Sequence, residues 1–288
     1  MNNTKKKSPI SWVPTAYFAM GLPFVVLNMV TVLMFKGLEV DDKLITFWTS
    51  LILLPWTLKP LWSPFLELFR TKKFFVIVTQ LITGVTFGLV AFALNLSHFF
   101  SISIALLAIV AFSGATHDIA CDGVYMSELS NEDQAKFIGW QGAFYNIAKI
   151  LATGGLVYLA GYFIELNADA GLLTANKRAW MIILLILSVT MILLGIYHLF
   201  ALPSTQSASS RKTLRSNKEV MKELGQVLMD FFRKTHITYY ICFIILYRFA
   251  EGFVMKIVPL FLKADREMGG LGLNEKEIGL YYGTYGAA

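Results

Sequence analysis

Charge is scarce in this chain. Of its 288 residues, 15% are Asp, Glu, Lys or Arg, against about 25% in an ordinary soluble domain. Cysteine is scarcer still: Cys121 and Cys242 each fall inside an apolar run, which excludes a disulfide framework and a CxxC metal pair. No GxxxxGK[ST], HExxH or GxSxG motif occurs, so P-loop, zincin and nucleophile-elbow chemistry lack support, and neither a cofactor nor a metal is expected. The formal net charge is +6, yet the cations sit in short stretches between apolar runs and form no basic face for nucleic acid.

What is plentiful is apolar surface. The chain is 56% hydrophobic with a mean hydropathy of +0.59, more than one soluble core of this length uses, so lipid is expected to cover the excess. A membrane span takes about 20 mostly apolar residues. Seven such stretches are predicted: Trp12–Phe35, Leu44–Phe69, Phe74–Leu96, Phe100–Met126, Phe137–Phe163, Ala179–Leu202 and Ile237–Leu262, with an eighth beginning at Ile278. The first is too long for the core of a signal peptide and holds Pro14 and Pro23, so the N-terminus is expected to stay attached.

Segments on the N-terminal side of the bilayer carry Lys5, Lys6, Lys7, Arg70, Lys72, Lys73, Lys136 and the seven cations between Arg211 and Lys234. The opposite side carries Lys36, Lys43, Lys177, Arg178, Lys263, Arg266 and Lys276, half as many. The positive-inside rule therefore places the N-terminus in the cytoplasm. Between the sixth and seventh spans, Ser204–His236 reads as a Ser-rich linker followed by an amphipathic surface helix around Val220–Phe232.

An internal echo organises the rest. Phe18-Ala19-Met20-Gly21 in the first span recurs as Phe249-Ala250-Glu251-Gly252 in the seventh, and GLEVDDKLI at Gly37–Ile45 recurs as GLGLNEKEI at Gly270–Ile278. Two echoes in order imply duplicated halves. The expected division is a six-helix half over residues 1–203, a cytoplasmic linker with its amphipathic helix over 204–236, and the start of a second half over 237–288, whose remaining spans are expected to be missing from this chain.

Ionisable groups inside a bilayer are costly and tend to face a cavity or a partner. Here they are Lys59, His117, Asp118, Asp122, Lys149, Arg248, Glu251 and Lys256. Asp118 and Asp122 are four residues apart, about 40° around a helix, so they share a face. Two such carboxylates do not both ionise cheaply, and the pair can bind and release a proton. The alternative is a permanent ion pair with a cation such as Lys149. His117 points about 100° away from Asp118, which leaves a substrate contact and a packing role both open. Arg248 and Glu251, three residues apart, either neutralise each other or offer a cation and a carboxylate to a cavity, the Arg suiting a carboxylate or phosphate. For Lys59 and Lys256 the simple reading is snorkelling to an interface. Gly21-Leu22-Pro23 interrupts the first span and predicts a kink beside a cavity. Gly154, Gly155 and Gly161 predict close helix packing.

Four ordered stretches, FAMGLPF from Phe18, LKPLWSPFLELF from Leu58, ATHDIACDGVY from Ala115 and LYRFAEGFVMKIVPLFLK from Leu246, resemble the AmpG-like anhydromuropeptide permease family of the major facilitator superfamily. The resemblance runs along nearly the whole chain. It implies an all-α membrane protein, a major facilitator type helical bundle of two six-helix halves, with spans one, four and seven lining a central cavity. It also implies proton-driven import of muropeptide-like cell-wall fragments across a bacterial inner membrane, with Asp118 and Asp122 in coupling; the candidate substrate contacts among the intramembrane charges are His117, Lys149, Arg248 and Glu251. The expected partners are a small-molecule solute, protons and the bilayer, with the protein a monomer. Departures are His117 where the family carries Gln, Glu67 with Phe69 where it ends a loop in Asp-Arg, and an insertion at Ala264–Leu271. A related acetyl-coenzyme A transporter branch shares several of these motifs. Two other classes stay open: a membrane-embedded enzyme using His117, Asp118 and Asp122 as acid and base, and a non-transporting sensor or scaffold.

Overall fold

A computed structural model describes residues 7–63, 66, 71–203, 222, 225–226, 229–230 and 232–286, with the side chains of Ile245, Arg248 and Glu251 outside the described set. Most of the linker and of the predicted surface helix at Val220–Phe232 lies outside the described residues, as do Pro64, Phe65 and residues 67–70 at the end of the LKPLWSPFLELF stretch.

The described chain is all-α. Six helices are long and apolar enough to cross a membrane: α1 (Pro9–Gly37), α2 (Asp42–Leu61), α3 (Lys72–Ala93), α4 (Phe99–Glu128), α5 (Asn131–Leu166) and α6 (Leu172–Ala201). A seventh helix, α7 (Ile237–Lys263), follows, and a turn at Glu275–Glu277 runs into a π-helical stretch, Ile278–Tyr285, the two together forming α8. Each predicted span is thus met by a helix. Local chemistry sets several starts: Asp41 accepts from the amides of Lys43 and Leu44, Thr71 from Phe74, Ser130 from Asp133, and Asn274 with Glu277 makes a capping box.

The distribution of side chains is that of a lipid-facing bundle. On α3, Ile82, Val85, Leu89 and Phe92 form one exposed apolar stripe, while Thr79, Gln80, Thr83 and Thr86 are buried on the other face. On α6, Val189, Leu193, Ile196 and Phe200 repeat the outward stripe, with Ser188 and His198 inside. Exposed apolar stripes over a partly polar interior invert the pattern of a soluble helix and fit a hydrocarbon surround. Between the helices, Leu33, Phe35, Phe87, Leu107, Trp180 and Ile183 anchor the main apolar core.

Three helices depart from regular geometry. In α1, Pro23 carries no amide proton, and a π turn follows at Val26–Val30. Side chains take up several of the local carbonyls: Asn28 Nδ2 donates to Phe24 O and Thr31 Oγ1 to Leu27 O. In α2, the α-helix ends at Leu51, restarts over Leu54–Leu58 around Pro55 and tightens into a 3₁₀ turn at Lys59–Leu61. In α5, a π turn spans Leu151–Leu156 at the Gly154-Gly155 pair.

The glycines of α5 seat α8. A Cβ on Gly279 would lie 2.7 Å from Gly154 O, one on Gly161 would meet the Lys276 backbone, and one on Gly283 would overlap the Thr153 carbonyl. The close-packing role expected of Gly154 and Gly161 is what the structure shows.

Candidate functional site

The candidate site is built on α4, which carries His117, Asp118 and Asp122. Asp118 Oδ2 accepts from Lys59 Nζ at 2.8 Å and from Trp56 Nε1 at 2.9 Å, both on the broken part of α2. The side-chain exposures of Lys59 and Asp118 are 29% and 11%, so the pair is mostly withdrawn from solvent. Lys59 therefore does not snorkel: the breaks around Pro55 and Pro60 turn its ammonium inward onto the carboxylate. The ion pair expected for the aspartates exists, but its cation is Lys59, and Lys149 makes an ion pair with neither carboxylate.

Trp56 reaches this position because Gly114, one turn before Asp118, has no side chain. A Cβ there would stand 2.8 Å from Trp56 Cζ2. The indole is held edge-on by Phe24, ring centroids 5.3 Å apart, next to Pro23. Asp118 Oδ1 is buried and has no hydrogen-bond partner among the described residues. One oxygen of this carboxylate is thus fully engaged and the other is free to take a proton or a donor.

Asp122, one turn on, uses a different helix. Its Oδ1 accepts from the Tyr17 hydroxyl of α1 at 2.8 Å, and Tyr17 packs edge-to-face on Tyr125. The two aspartates share a face of α4 as expected and divide their partners between α1 and α2.

His117 belongs to another network. Its Nε2 lies 3.0 Å from Gln80 Nε2, Gln80 Oε1 lies 2.9 Å from His198 Nδ1, and His198 Nε2 lies 2.9 Å from Thr15 Oγ1. The chain His117–Gln80–His198–Thr15 links α4, α3, α6 and α1, and Gln80 and His198 are 0% exposed. With Gln80 donating to His117 Nε2 and accepting from His198 Nδ1, both rings carry a proton on Nδ1. Beside this chain, Thr83 donates to Ser113 and Ser113 to the Thr79 carbonyl.

Gly21 is a contact position. A Cβ there would stand 3.0 Å from Ala148 Cβ and 3.1 Å from Tyr145 O of α5. Pro23 is buried beside Gly114 and Trp56. Arg248 and Glu251 lie three residues apart on α7. Lys256 does not snorkel either: at 4% exposure, its ammonium donates to Asn28 O at 3.0 Å and to Leu27 O at 3.4 Å on α1. Two openings border the bundle, one of about 290 Å³ along α3 and α4 beside Lys72, Ala120 and Gly123, the other of about 140 Å³ at the N-terminal end beside Lys7, Trp12 and Glu128. Neither includes Asp118 or Asp122 among its lining residues. Among the described residues, no cluster of His, Cys, Asp and Glu fits a metal ion.

Sequence reasoning missed Tyr17, Trp56, Gln80 and His198. Gln80 and His198 carried a readable signal, being polar groups in the middle of apolar spans; Tyr17 and Trp56 did not, because aromatics are ordinary in membrane helices. Set against known proteins, the chain matches no family model, no curated protein and no solved structure.

Proposed function

We propose that this protein is a secondary active transporter that uses a proton gradient to import an anionic, muropeptide-like solute, with its N-terminus in the cytoplasm. The observation that carries the reading is Asp118: a carboxylate inside a long apolar helix, with one oxygen held by Lys59 and Trp56 and the other buried without a partner among the described residues. Taking a proton on that free oxygen weakens the hold on Lys59, which turns the ammonium into a cation available to an anionic solute. Asp122, one turn away and tied to α1 through Tyr17, makes the protonation of the pair sensitive to how α1 and α2 sit against α4. The motif resemblance supplies the solute class, and acyl-coenzyme A compounds are the next anionic class to assay.

His117 is engaged with Gln80 on α3, while Asp118 is engaged on α2. That division favours transport over an enzyme using His117 and Asp118 as one acid–base pair. The test is uptake of labelled anhydromuropeptide by vesicles carrying the full-length protein, with and without an inward proton gradient. Gradient-dependent uptake that is lost in Asp118→Asn supports the proposal; gradient-driven uptake unchanged in both Asp118→Asn and Asp122→Asn refutes the coupling role.

A further inference from the structure

Lys256 is a lysine on α7 whose ammonium is spent on two backbone carbonyls of another helix, Leu27 O and Asn28 O. Those carbonyls belong to the π turn of α1, where Leu27 O also accepts from Thr31 Oγ1, so Lys256 is a donor added from another helix. The site is well defined, since Lys256 is 4% exposed. Its position along α7 is informative. Tyr239, Phe243, Leu246, Phe249 and Phe253 on the N-terminal part of α7 are exposed, whereas Lys256 and Leu260 are buried against α1. Beyond them, Lys263 forms an ion pair with Glu275 and closes over Gly37 at the end of α1, and Lys276 pairs with Glu165 at the end of α5. In the orientation set by the cation distribution, all of these contacts lie in the extracytoplasmic half, so α7 and α8 clasp the first six helices at that end.

We propose that Lys256, seated on the π-turn carbonyls of α1, is the central member of an extracytoplasmic latch, completed by Lys276–Glu165, that holds this face closed. The inference rests on the transporter reading, which requires the face to open for solute. The arrangement suits a reversible clasp: an ammonium can leave two carbonyl oxygens for water without unfolding either helix, whereas an apolar side chain at position 256 offers those oxygens nothing.

The experiment is a distance measurement between spin labels at Asp169→Cys, in the turn between α5 and α6, and Met268→Cys, after α7, both exposed, in the full-length protein with Cys121→Ala and Cys242→Ser. The parent protein is expected to show a dominant short distance. Lys256→Met is expected to raise the longer-distance population about tenfold, the size of one lost charge-assisted hydrogen bond, while Lys256→Arg keeps the parent distribution. If Lys256→Met does not fold, Glu165→Gln, which removes the charge that pairs with Lys276, is expected to give a smaller shift in the same direction. Unchanged distances in folded Lys256→Met overturn the latch, as does an equal shift in Lys256→Arg. Because the readout is distance, a shift in a protein that moves no solute supports the latch and counts against the transport proposal alone.

Discussion

The Lys59–Asp118 pair yields a prediction with an order as well as a size. Lys59→Met leaves the Asp118 carboxylate among buried groups with one donor, the Trp56 indole, and breaking a fully buried ion pair from one side costs about 3–5 kcal/mol. Lys59 is partly exposed, so water relieves some of that cost, and about 2–3 kcal/mol is expected. Asp118→Asn is milder, about 1–2 kcal/mol, because the carboxamide oxygen still accepts from Trp56 and the lysine reaches solvent. In the double variant neither charge is stranded, and its cost should be about 2 kcal/mol, roughly 2 kcal/mol less than the sum of the singles. Reversible unfolding of the full-length protein in mixed micelles, followed by tryptophan fluorescence, measures all three. Single effects that add to within about 0.5 kcal/mol, or a larger cost for Asp118→Asn than for Lys59→Met, would refute the reasoning.

The other expectations concern separate parts of the bundle. Gly283→Ala drives a methyl group into the Thr153 carbonyl and should cost about 1–3 kcal/mol in the same unfolding assay, whereas Gly139→Ala, with nothing within 4 Å, should be neutral or stabilising by up to about 1 kcal/mol. Gln80→Leu strands Nε2 of His117 and Nδ1 of His198, so a loss of about 2–4 kcal/mol in stability is expected, with the proton dependence of uptake retained; loss of proton dependence in a stable Gln80→Leu protein would place the histidine chain in the coupling path instead. Tyr17→Phe removes the one hydrogen bond that joins Asp122 to α1 and should move the pH midpoint of uptake, while Phe18, which packs against the apolar core, can be changed to Leu without moving it.

How far the fold and the site were legible depends on what each signal encodes. Apolar run length reports hydrocarbon thickness directly, which is why six of the predicted spans are met by helices long and apolar enough to cross a membrane, and the glycines of span five reported a close helix contact because a missing Cβ is a distance constraint. Partner choice was not legible in the same way. A lysine inside a span reads simply as snorkelling, because its long stem can carry the ammonium to an interface; the inward turn that brings Lys59 to Asp118 comes from a helix broken at Pro55 and Pro60, a tertiary consequence of local breaks that sequence spacing does not measure. The placement of Lys256 was illegible for the corresponding reason, since its acceptors are backbone oxygens in a π turn of a helix more than 200 residues away. Helical angle, by contrast, did carry to the site. A step of about 100° per residue separates His117 from Asp118, and the structure turns that step into two networks, one from His117 through α3 and α6 to α1 and one from Asp118 to α2. Adjacent residues on α4 thus divide their work: His117 ties four helices together by hydrogen bonds, and Asp118 pairs with Lys59, which is the arrangement expected if a protonation change at Asp118 is to move α2 without loosening the rest of the bundle.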